Sequence, residues 1–283
     1  MAVRTSSRSR LVETSDGALI YCEVTGDGPS ILFVHGWMMS SRFWVRQVEG
    51  LSRDFTVATM DLRGHGNSSK VLHGHTVPQY ARDVRAVIEA LNLHEVTLVG
   101  WSLAGPVVLD YWNRYGADRL RSLALVDMTP FPFSPDPWNA HPLKGYDYDR
   151  MNAACASVIA DRESFARRFI DRMFEWGAAR PDDMNWMLAE SMKVPAAIAA
   201  AIYSDFSMRD HTAILPTITI PSTVFAADSH VFRRGAEQGR WVASQIPGAT
   251  FVGSDKGGHV LFYEDAAMFN AAVDRSIPPA PRL

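Results

Sequence analysis

Short runs of apolar residues alternate along the chain with segments in which apolar residues recur every three or four positions. The runs are rich in valine, leucine, isoleucine and phenylalanine, as expected for strands that are covered on both faces of a sheet. The alternation predicts an α/β fold with a mostly parallel central sheet and helices on both faces. The clearest predicted strands span residues 31–34, 55–60, 96–99, 123–126, 222–226 and 249–252.

Ahead of these strands the chain begins with a predicted hairpin. Residues 11–13 and 18–24 have strand-like composition and are joined through Asp16 and Gly17, a pair that favours tight turns. Two later segments place apolar side chains on one helical face, and Pro106 is compatible with a helix because it falls in the first turn. These faces consist of Tyr80, Val84, Val87, Ile88 and Leu91, and of Val107, Val108, Tyr111, Trp112 and Tyr115.

The alternation stops after Asp127. From about residue 128 to 215 no strand pattern is present, and several helical segments follow one another instead. One of them, within residues 161–176, carries a continuous apolar stripe. We interpret the chain, 1–283, as a single domain in which the insertion at 128–215 forms a helical cap over the carboxyl edge of the sheet.

The composition is that of an ordinary globular protein, with 47% hydrophobic and 21% charged residues. The 28 basic and 31 acidic side chains leave a formal net charge of −3, which argues against nucleic-acid binding. No apolar run reaches the roughly 20 residues of a membrane-spanning helix, and the start has no signal-peptide pattern. Cys22 and Cys155 are far apart in the sequence and predict no disulfide framework, so we expect a soluble, cytoplasmic protein.

The most informative motif runs from Val99 to Gly105, where a predicted strand ends, one serine follows and a helix begins. A sharp turn there would raise the Ser102 hydroxyl above the sheet edge, next to a helix N-terminus that favours developing negative charge. The small residues Gly100 and Ala104, two positions to either side, allow strand and helix to approach closely. Ser102 could instead only cap the helix, but the strand–turn–helix context favours a catalytic nucleophile.

Two further loops carry the partners that an acyl-transfer serine requires. An imidazole can take the serine proton at neutral pH, and His259 follows two glycines in the loop after the last predicted strand. Two backbone N–H groups must also face the oxyanion. Trp37, in the turn after the strand at 31–34, and Leu103, directly after the serine, can supply them. Taken alone, the turn that carries Trp37 would be interpreted as an ordinary turn with a packed tryptophan.

The remaining motifs predict no cofactor. His73 and His75 could hold a metal ion, but no third ligand is near in the sequence, so we predict no metal site. No GxGxxG or P-loop pattern indicates a nucleotide. Six histidines fall in predicted loops or polar stretches, where we expect them to be solvated. They are His65, His73, His75, His94, His141 and His211.

Together these motifs resemble the α/β-hydrolase family, most closely its esterases and cofactor-free chloroperoxidases, and the resemblance covers most of the chain. It implies a catalytic triad with Ser102 as nucleophile and His259 as base. It also implies that the amides of Trp37 and Leu103 form an oxyanion hole. The family's order and spacing are matched by His35-Gly36, by residues 61–68, by Gly100-x-Ser102 and by Gly258-His259.

The acidic member of the triad is where this sequence departs from the family pattern. The family commonly places it in a Gly-x-x-Asp turn after the strand that follows the cap. Here Ser229 or His230 falls where the aspartate is expected, and Asp228 is close to it. The other candidate is Asp127, at the end of a predicted strand, a position that some relatives use. We favour Asp127 over Asp228, since a carboxylate there could orient His259 and stabilise the imidazolium.

The resemblance implies an ester or lactone hydrolase that works through an acyl-enzyme. A serine at the nucleophile position excludes the haloalkane dehalogenases and epoxide hydrolases of this fold, which use an aspartate. Three alternatives remain open, because a fold does not by itself define a function. They are a perhydrolase with peroxide in place of water, a lyase or cofactor-free oxygenase, and a small-molecule receptor with a vestigial site.

Substrate preference should depend on the cap, whose large apolar side chains both pack it onto the sheet and line the pocket. We assign His35, Trp101, Phe131 and Phe169 to substrate binding. We expect a small to medium, largely apolar small-molecule substrate, with neither nucleic acid nor membrane as a partner, and a homodimer is left open. The cap residues concerned are Phe131, Phe133, Trp138, Phe165, Phe169, Trp176, Trp186 and Met187.

Overall fold

A computed structural model describes residues 7–175 and 179–277. At its centre is one sheet of eight strands: β1 (Arg8–Glu13), β2 (Leu19–Thr25), β3 (Ser30–Val34), β4 (Thr56–Met60), β5 (Val96–Trp101), β6 (Leu120–Val126), β7 (Ser222–Ala226) and β8 (Thr250–Gly253). Their order across the sheet is β1-β2-β4-β3-β5-β6-β7-β8. The pairs β1–β2 and β2–β4 are antiparallel, and the other neighbours in this sheet are parallel.

The predicted fold class, the opening hairpin and the six predicted parallel strands are confirmed, with strand ends that differ by at most three residues. Gly17 adopts a φ of 83° in the hairpin turn, a conformation that glycine reaches without strain. Every residue of β5 is buried, so both faces of the sheet are covered. The parallel strands therefore bring their carboxyl ends to a single edge.

The helices are α1 (Val45–Leu51), α2 (Val77–Ala90), α3 (Ala104–Tyr115), α4 (Tyr148–Ala160), α5 (Arg162–Met173), α6 (Pro181–Met192), α7 (Ala196–Met208), α8 (Gly235–Gln245), α9 (Leu261–Glu264) and α10 (Ala266–Ser276). Around the sheet, α1 packs against α10, and α2 packs against α3. The two helical faces predicted from periodicity belong to α2 and α3. Among the described residues, none of these helices has the length and apolar character needed to cross a membrane.

Helices α4 to α7 lie between β6 and β7, within the segment 128–215 that we call the helical insertion. In it, α4 packs against α7 and α5 against α6. Ahead of α4, the ring of Trp138 stacks on Trp241 of α8, with centroids 3.9 Å apart and planes inclined by 4°. This stack fastens the start of the insertion to the body of the protein. Of the aromatic residues predicted for this segment, Trp176 lies outside the described residues.

The loop after β4 is held by a buried ionic network around Arg63. Its guanidinium donates to both carboxylate oxygens of Asp83 on α2, at 2.9 and 2.8 Å. It also donates to Asp16 in the hairpin turn, at 2.6 Å. The Arg63 side chain has no solvent exposure, so its charge depends on these two partners. The motif at 61–68 thus ties three parts of the chain together.

Four of the six histidines expected to be solvated are buried, so that prediction is wrong for them. Their loops are polar in sequence but are covered in the fold. The ring of His75, for example, lies within 2.7 Å of the Val71 carbonyl oxygen and 3.1 Å of the Tyr80 hydroxyl. Polar composition does not reveal what packs over a loop. The buried four are His65, His75, His141 and His211, and the exposed two are His73 and His94.

We expect the free energy of unfolding to decrease as the pH falls below about 6.5. Burial lowers the pKa of His35 to about 4 and also lowers those of His65 and His211. The unfolded chain protonates these rings near pH 6.5 while the folded protein keeps them neutral, so acid favours unfolding. Each such histidine costs about 1.4 kcal/mol per pH unit, down to its folded-state pKa.

Urea unfolding between about pH 7.5 and pH 5 measures this dependence. His35→Asn should reduce the slope of stability against pH, because it removes one group whose pKa differs between the two states. The matched control is His230→Asn, which replaces an exposed histidine. Equal slopes for wild type and His35→Asn would contradict the assignment.

Candidate active site

Ser102 follows β5 at the carboxyl edge of the sheet and begins the turn into α3. Its backbone is left-handed, with a φ of 56°, a conformation that costs a non-glycine residue about 1–3 kcal/mol and clusters at functional sites. The turn requires Gly100, because a Cβ there would lie 2.5 Å from the carbonyl oxygen of Ala104. The methyl group of Ala104 is itself buried without disturbing the turn. Strand and helix thus hold the serine at the sheet edge.

The ring of His259 bridges this serine and a carboxylate. Its Nε2 lies 3.0 Å from Ser102 Oγ, and its Nδ1 lies 2.5 Å from Asp127 Oδ2. An ionised carboxylate can only accept, so Nδ1 carries the proton and Nε2 can accept from the serine hydroxyl. His259 and Asp127 are each 1% exposed, so water does not compete for these contacts. An imidazole in this position can take the proton of an attacking serine.

The loop that carries His259 is held at two points. The indole N–H of Trp101 donates to the carbonyl oxygen of His259 at 2.8 Å, and the Gly258 N–H donates to the Glu264 carboxylate at 2.6 Å. A Cβ at Gly258 would lie 2.6 Å from the carbonyl oxygen of Met173, so this position excludes a side chain. Met173 is the last residue of α5. The helical insertion therefore forms part of the wall against which this loop packs.

Asp127, and not Asp228, is the carboxylate in contact with His259. Asp127 directly follows β6, and the Ala227 N–H donates to its second oxygen at 3.3 Å. Burial raises the pKa of the Asp127 carboxyl, and the hydrogen bonds from His259 and Ala227 act in the opposite direction. Asp228 is exposed, and its carboxylate accepts from the Ala236 N–H at 3.0 Å. Asp228 thus interacts with the start of α8 instead.

Two backbone amides lie beside the serine. Leu103 directly follows it, and Trp37 follows Gly36, at which a Cβ would lie only 3.0 Å from the Cβ of Ser102. Both residues line the same cavity as Ser102. Neither the Trp37 nor the Leu103 N–H has a hydrogen-bond partner among the described residues. Unpaired N–H groups next to a nucleophile are what an oxyanion hole requires.

A cavity of about 180 Å³ lies above Ser102, between the sheet edge and the helical insertion. The ring of Trp37 stacks on Tyr203 with centroids 4.5 Å apart, and Phe169 meets its edge at 5.5 Å. An aromatic wall with a few polar groups is typical of a site for a small, largely apolar organic molecule. The aromatic lining consists of Trp37, Phe165, Phe169, Tyr203, Phe206 and Phe232.

Of the four residues assigned to substrate binding, Phe169 lines this cavity and the other three do not. His35 is fully buried, and its Nε2 accepts from a backbone N–H at 2.9 Å. Trp101 is 1% exposed and supports the loop described above. Phe131 belongs to a separate apolar cluster. Neighbouring positions at a strand end or in a loop point in different directions, so proximity to a motif in sequence does not place a side chain in the pocket.

Several cavity residues carry no sequence signal that would identify them. Tyr203 is an aromatic residue on the alanine-rich helix α7, and His141 lies in a polar segment ahead of α4. Arg150 of α4 and Arg172 of α5 also line the cavity. Phe232 does have a sequence signal, because it closes the turn in which the family's aspartate is expected. The sequence thus predicts that Phe232 lies near the site, but not that its ring faces the cavity.

In the described part of the chain, no three His, Cys, Asp or Glu side chains form a group that could hold a metal ion. His73 and His75 have separate partners. His73 Nε2 lies 3.5 Å from the Asp16 carboxylate, whereas both nitrogens of His75 face Val71 and Tyr80.

The architecture and the serine-centred site define an α/β hydrolase. The sequence profile of the alpha/beta hydrolase fold matches residues 29–266, and the chain belongs to this family. A non-heme haloperoxidase of Rhodococcus erythropolis is 32% identical over 225 residues, which are 77% of this chain and 80% of that protein. A pimeloyl-acyl-carrier-protein methyl ester esterase of Chromobacterium violaceum is 26% identical over 249 residues, 86% of this chain and 92% of that protein.

A solved structure gives the same result. The crystal structure of a bromoperoxidase from Bacillus anthracis superposes with a TM-score of 0.86 at 25% identity, covering 95% of this chain and 99% of that one. The proteins that this chain resembles thus include an esterase, a non-heme haloperoxidase and a bromoperoxidase.

We expect Asp127→Asn to slow the reaction of Ser102 with a fluorophosphonate probe by roughly 10³- to 10⁴-fold. The asparagine side chain cannot hold the protonated Nδ1 in place or stabilise the imidazolium. The rate of covalent labelling, followed by mass spectrometry, measures the effect. Asp228→Asn is the matched control and should label at close to the wild-type rate. Similar labelling rates for the two variants would contradict the structural distinction between these aspartates.

Proposed function

We propose that this protein is a serine hydrolase that cleaves carboxylic esters or lactones through an acyl-enzyme. The observation that carries the proposal is the continuous contact from Ser102 through His259 to Asp127. Beside it lie the amides of Trp37 and Leu103, which have no hydrogen-bond partner within residues 7–175 and 179–277. In this proposal these residues are the nucleophile, the base, the acidic member of the triad and the two oxyanion donors. The esterase among the relatives supports the same class of reaction.

Acylation begins when Ser102 Oγ attacks the ester carbonyl carbon. His259 Nε2 takes the hydroxyl proton, and Asp127 stabilises the imidazolium that forms. The carbonyl oxygen becomes an oxyanion and accepts hydrogen bonds from the N–H groups of Trp37 and Leu103. When the intermediate collapses, His259 gives its proton to the leaving alkoxide, and the acyl group remains on the serine.

Deacylation repeats these steps with water as the nucleophile. His259 Nε2 takes a proton from water as the oxygen attacks the acyl carbon, and the same two amides hold the second oxyanion. Collapse of this intermediate returns the proton to Ser102 Oγ and releases the carboxylic acid. The base is neutral again, so the cycle is complete.

The helical insertion acts as a cap in this proposal, because it covers the sheet edge and supplies much of the cavity wall. Phe165 and Phe169 come from α5, and Tyr203 and Phe206 come from α7. Their apolar surfaces suit a small to medium acyl or aromatic group rather than a long chain, given a cavity of about 180 Å³.

We expect a fluorophosphonate probe to label wild-type protein at Ser102, and Ser102→Ala to lose both labelling and at least about 10⁴-fold in the hydrolysis of p-nitrophenyl esters. Alanine removes the nucleophile but not the fold, so the melting temperature should change little. The control is Ser244→Ala, which removes an exposed serine of α8 that is remote from the cavity lining.

Retention of esterase activity by Ser102→Ala would contradict the proposal. Absence of labelling in folded wild-type protein, together with no hydrolysis of any short ester, would instead favour the lyase, oxygenase or receptor alternatives.

The haloperoxidase names among the relatives favour a second candidate, perhydrolysis, in which hydrogen peroxide replaces water in deacylation. Both reactions share the acyl-enzyme, and they differ in the product. With excess peroxide and a short ester, the ratio of peracid to carboxylic acid measures which of the two nucleophiles reacts with the acyl-enzyme, and the esterase proposal expects the carboxylic acid as the main product. Peracid as the main product, measured by oxidation of a halide, would establish perhydrolysis instead.

A further inference from the structure

Among the described residues that line the cavity, His141 is the one histidine. It is 8% exposed and lies in the segment between β6 and α4, at the start of the helical insertion. Its ring packs against Phe206 and Phe232, with centroids 5.9 and 5.7 Å away. The mechanism proposed above gives it no role.

The backbone determines which nitrogen of His141 carries the proton. The Leu143 N–H donates to Nδ1 at 3.2 Å, so Nδ1 is an acceptor and the neutral ring must carry its proton on Nε2. Nε2 has no hydrogen-bond partner among the described residues, and it is not among the buried unpaired atoms of this part of the chain. The Nε2–H group is therefore a donor that remains accessible from the cavity.

The ring of His141 is neutral near neutral pH. Burial lowers the pKa of His141 to about 3, and the nearby His259 acts in the same direction. A neutral ring that carries its proton on Nε2 cannot act there as a base. It can only present a hydrogen-bond donor.

The segment around His141 is held in one position before any ligand binds. Asn139 Oδ1 accepts from the His141 N–H at 3.0 Å. The adjacent Ala140 N–H donates to Gln238 at 2.7 Å, and the amide of Gln238 donates to the Met128 carbonyl oxygen at 2.9 Å. A donor that is already ordered loses little conformational entropy when a ligand binds.

His141 is also close to the reacting groups. The ring of Phe232 packs against both His141 and His259, with centroids 5.7 and 5.3 Å away. One phenyl ring thus contacts both the donor and the base, and His141 and Ser102 line the same cavity. The neighbouring wall is aromatic, so an oxygen atom there would otherwise find an apolar surface.

We propose that the Nε2–H of His141 selects substrates that carry a second oxygen acceptor, a carbonyl, ether or hydroxyl oxygen, a few bonds from the scissile carbonyl. This inference rests on the proposed esterase function and narrows it to oxygen-substituted esters and lactones. A hydrocarbon substrate would bury the donor without a partner, and leaving a buried polar group unpaired is the strongest basis for discrimination between similar ligands.

Two substitutions separate the donor from the other contacts of this ring. His141→Asn can keep an acceptor near the Nδ1 position for Leu143 but places no donor at the Nε2 position. His141→Gln extends far enough to restore an N–H at that position. Their melting temperatures show whether each variant is folded. Tyr203→Phe is the control for a different donor, because it removes a cavity hydroxyl that has no hydrogen-bond partner among the described residues.

The substrates are the p-nitrophenyl esters of 4-oxo- and 5-oxohexanoate, with hexanoate as the reference. For wild type we expect kcat/KM for the better oxo ester to exceed that for hexanoate by about tenfold, which is the effect expected from one hydrogen bond. The ratio should approach one in His141→Asn and recover several-fold in His141→Gln. An unchanged ratio in His141→Asn, no preference in wild type, or loss of the preference in Tyr203→Phe alone would overturn the inference.

Calorimetry makes the test independent of turnover. The methyl esters of the same acids are titrated into Ser102→Ala and into Ser102→Ala/His141→Asn, and the tighter binding of the oxo ester should be lost in the double variant. If wild type hydrolyses no ester but this difference in Kd is present, the esterase proposal fails and the role of His141 stands. If wild type hydrolyses both esters but neither the kcat/KM ratio nor the Kd ratio depends on His141, the esterase proposal stands and the role of His141 fails.

Discussion

The parallel pairing of β5 with β6 determines where the chemistry of this protein can occur. Trp101 and Val126 are partners in register, and the Ser102 N–H still donates to the Val126 carbonyl oxygen at 2.9 Å. The next residue on each strand is the serine and the aspartate, so both leave the sheet at the same level. Both have left-handed backbones, with φ of 56° at Ser102 and 40° at Asp127. One imidazole is then wide enough to bridge two adjacent strands.

This geometry explains which parts of the site can be predicted from sequence. Ser102 and His259 are marked by local signals, a strand that ends in a glycine-bounded turn and a loop with two glycines. The choice between Asp127 and Asp228 is not local, because they follow the adjacent strands β6 and β7 at the same edge. It depends on the direction in which each chain leaves the sheet, and Asp228 turns toward α8.

The residues that line the cavity are predictable only in part, for a related reason. The helical periodicity of α5 places Phe169 on the apolar face of that helix. Whether this face borders the cavity depends on how α5 packs over the sheet. His141 shows the opposite case, since a polar segment in the sequence becomes buried once α7 and the Phe232 turn close around it. Burial that arises from contacts between distant segments leaves no trace in the local pattern.

The close approach of Gly258 to Met173 links two properties that are usually treated separately. The residue before the base is fitted to the end of α5, and the same helix carries two aromatic side chains of the cavity wall. A displacement of α5 that widened the cavity would also withdraw the Met173 carbonyl from Gly258, and with it the support of the loop that carries His259. The dimensions of the pocket and the placement of this imidazole are therefore set by a single helix and cannot be varied independently.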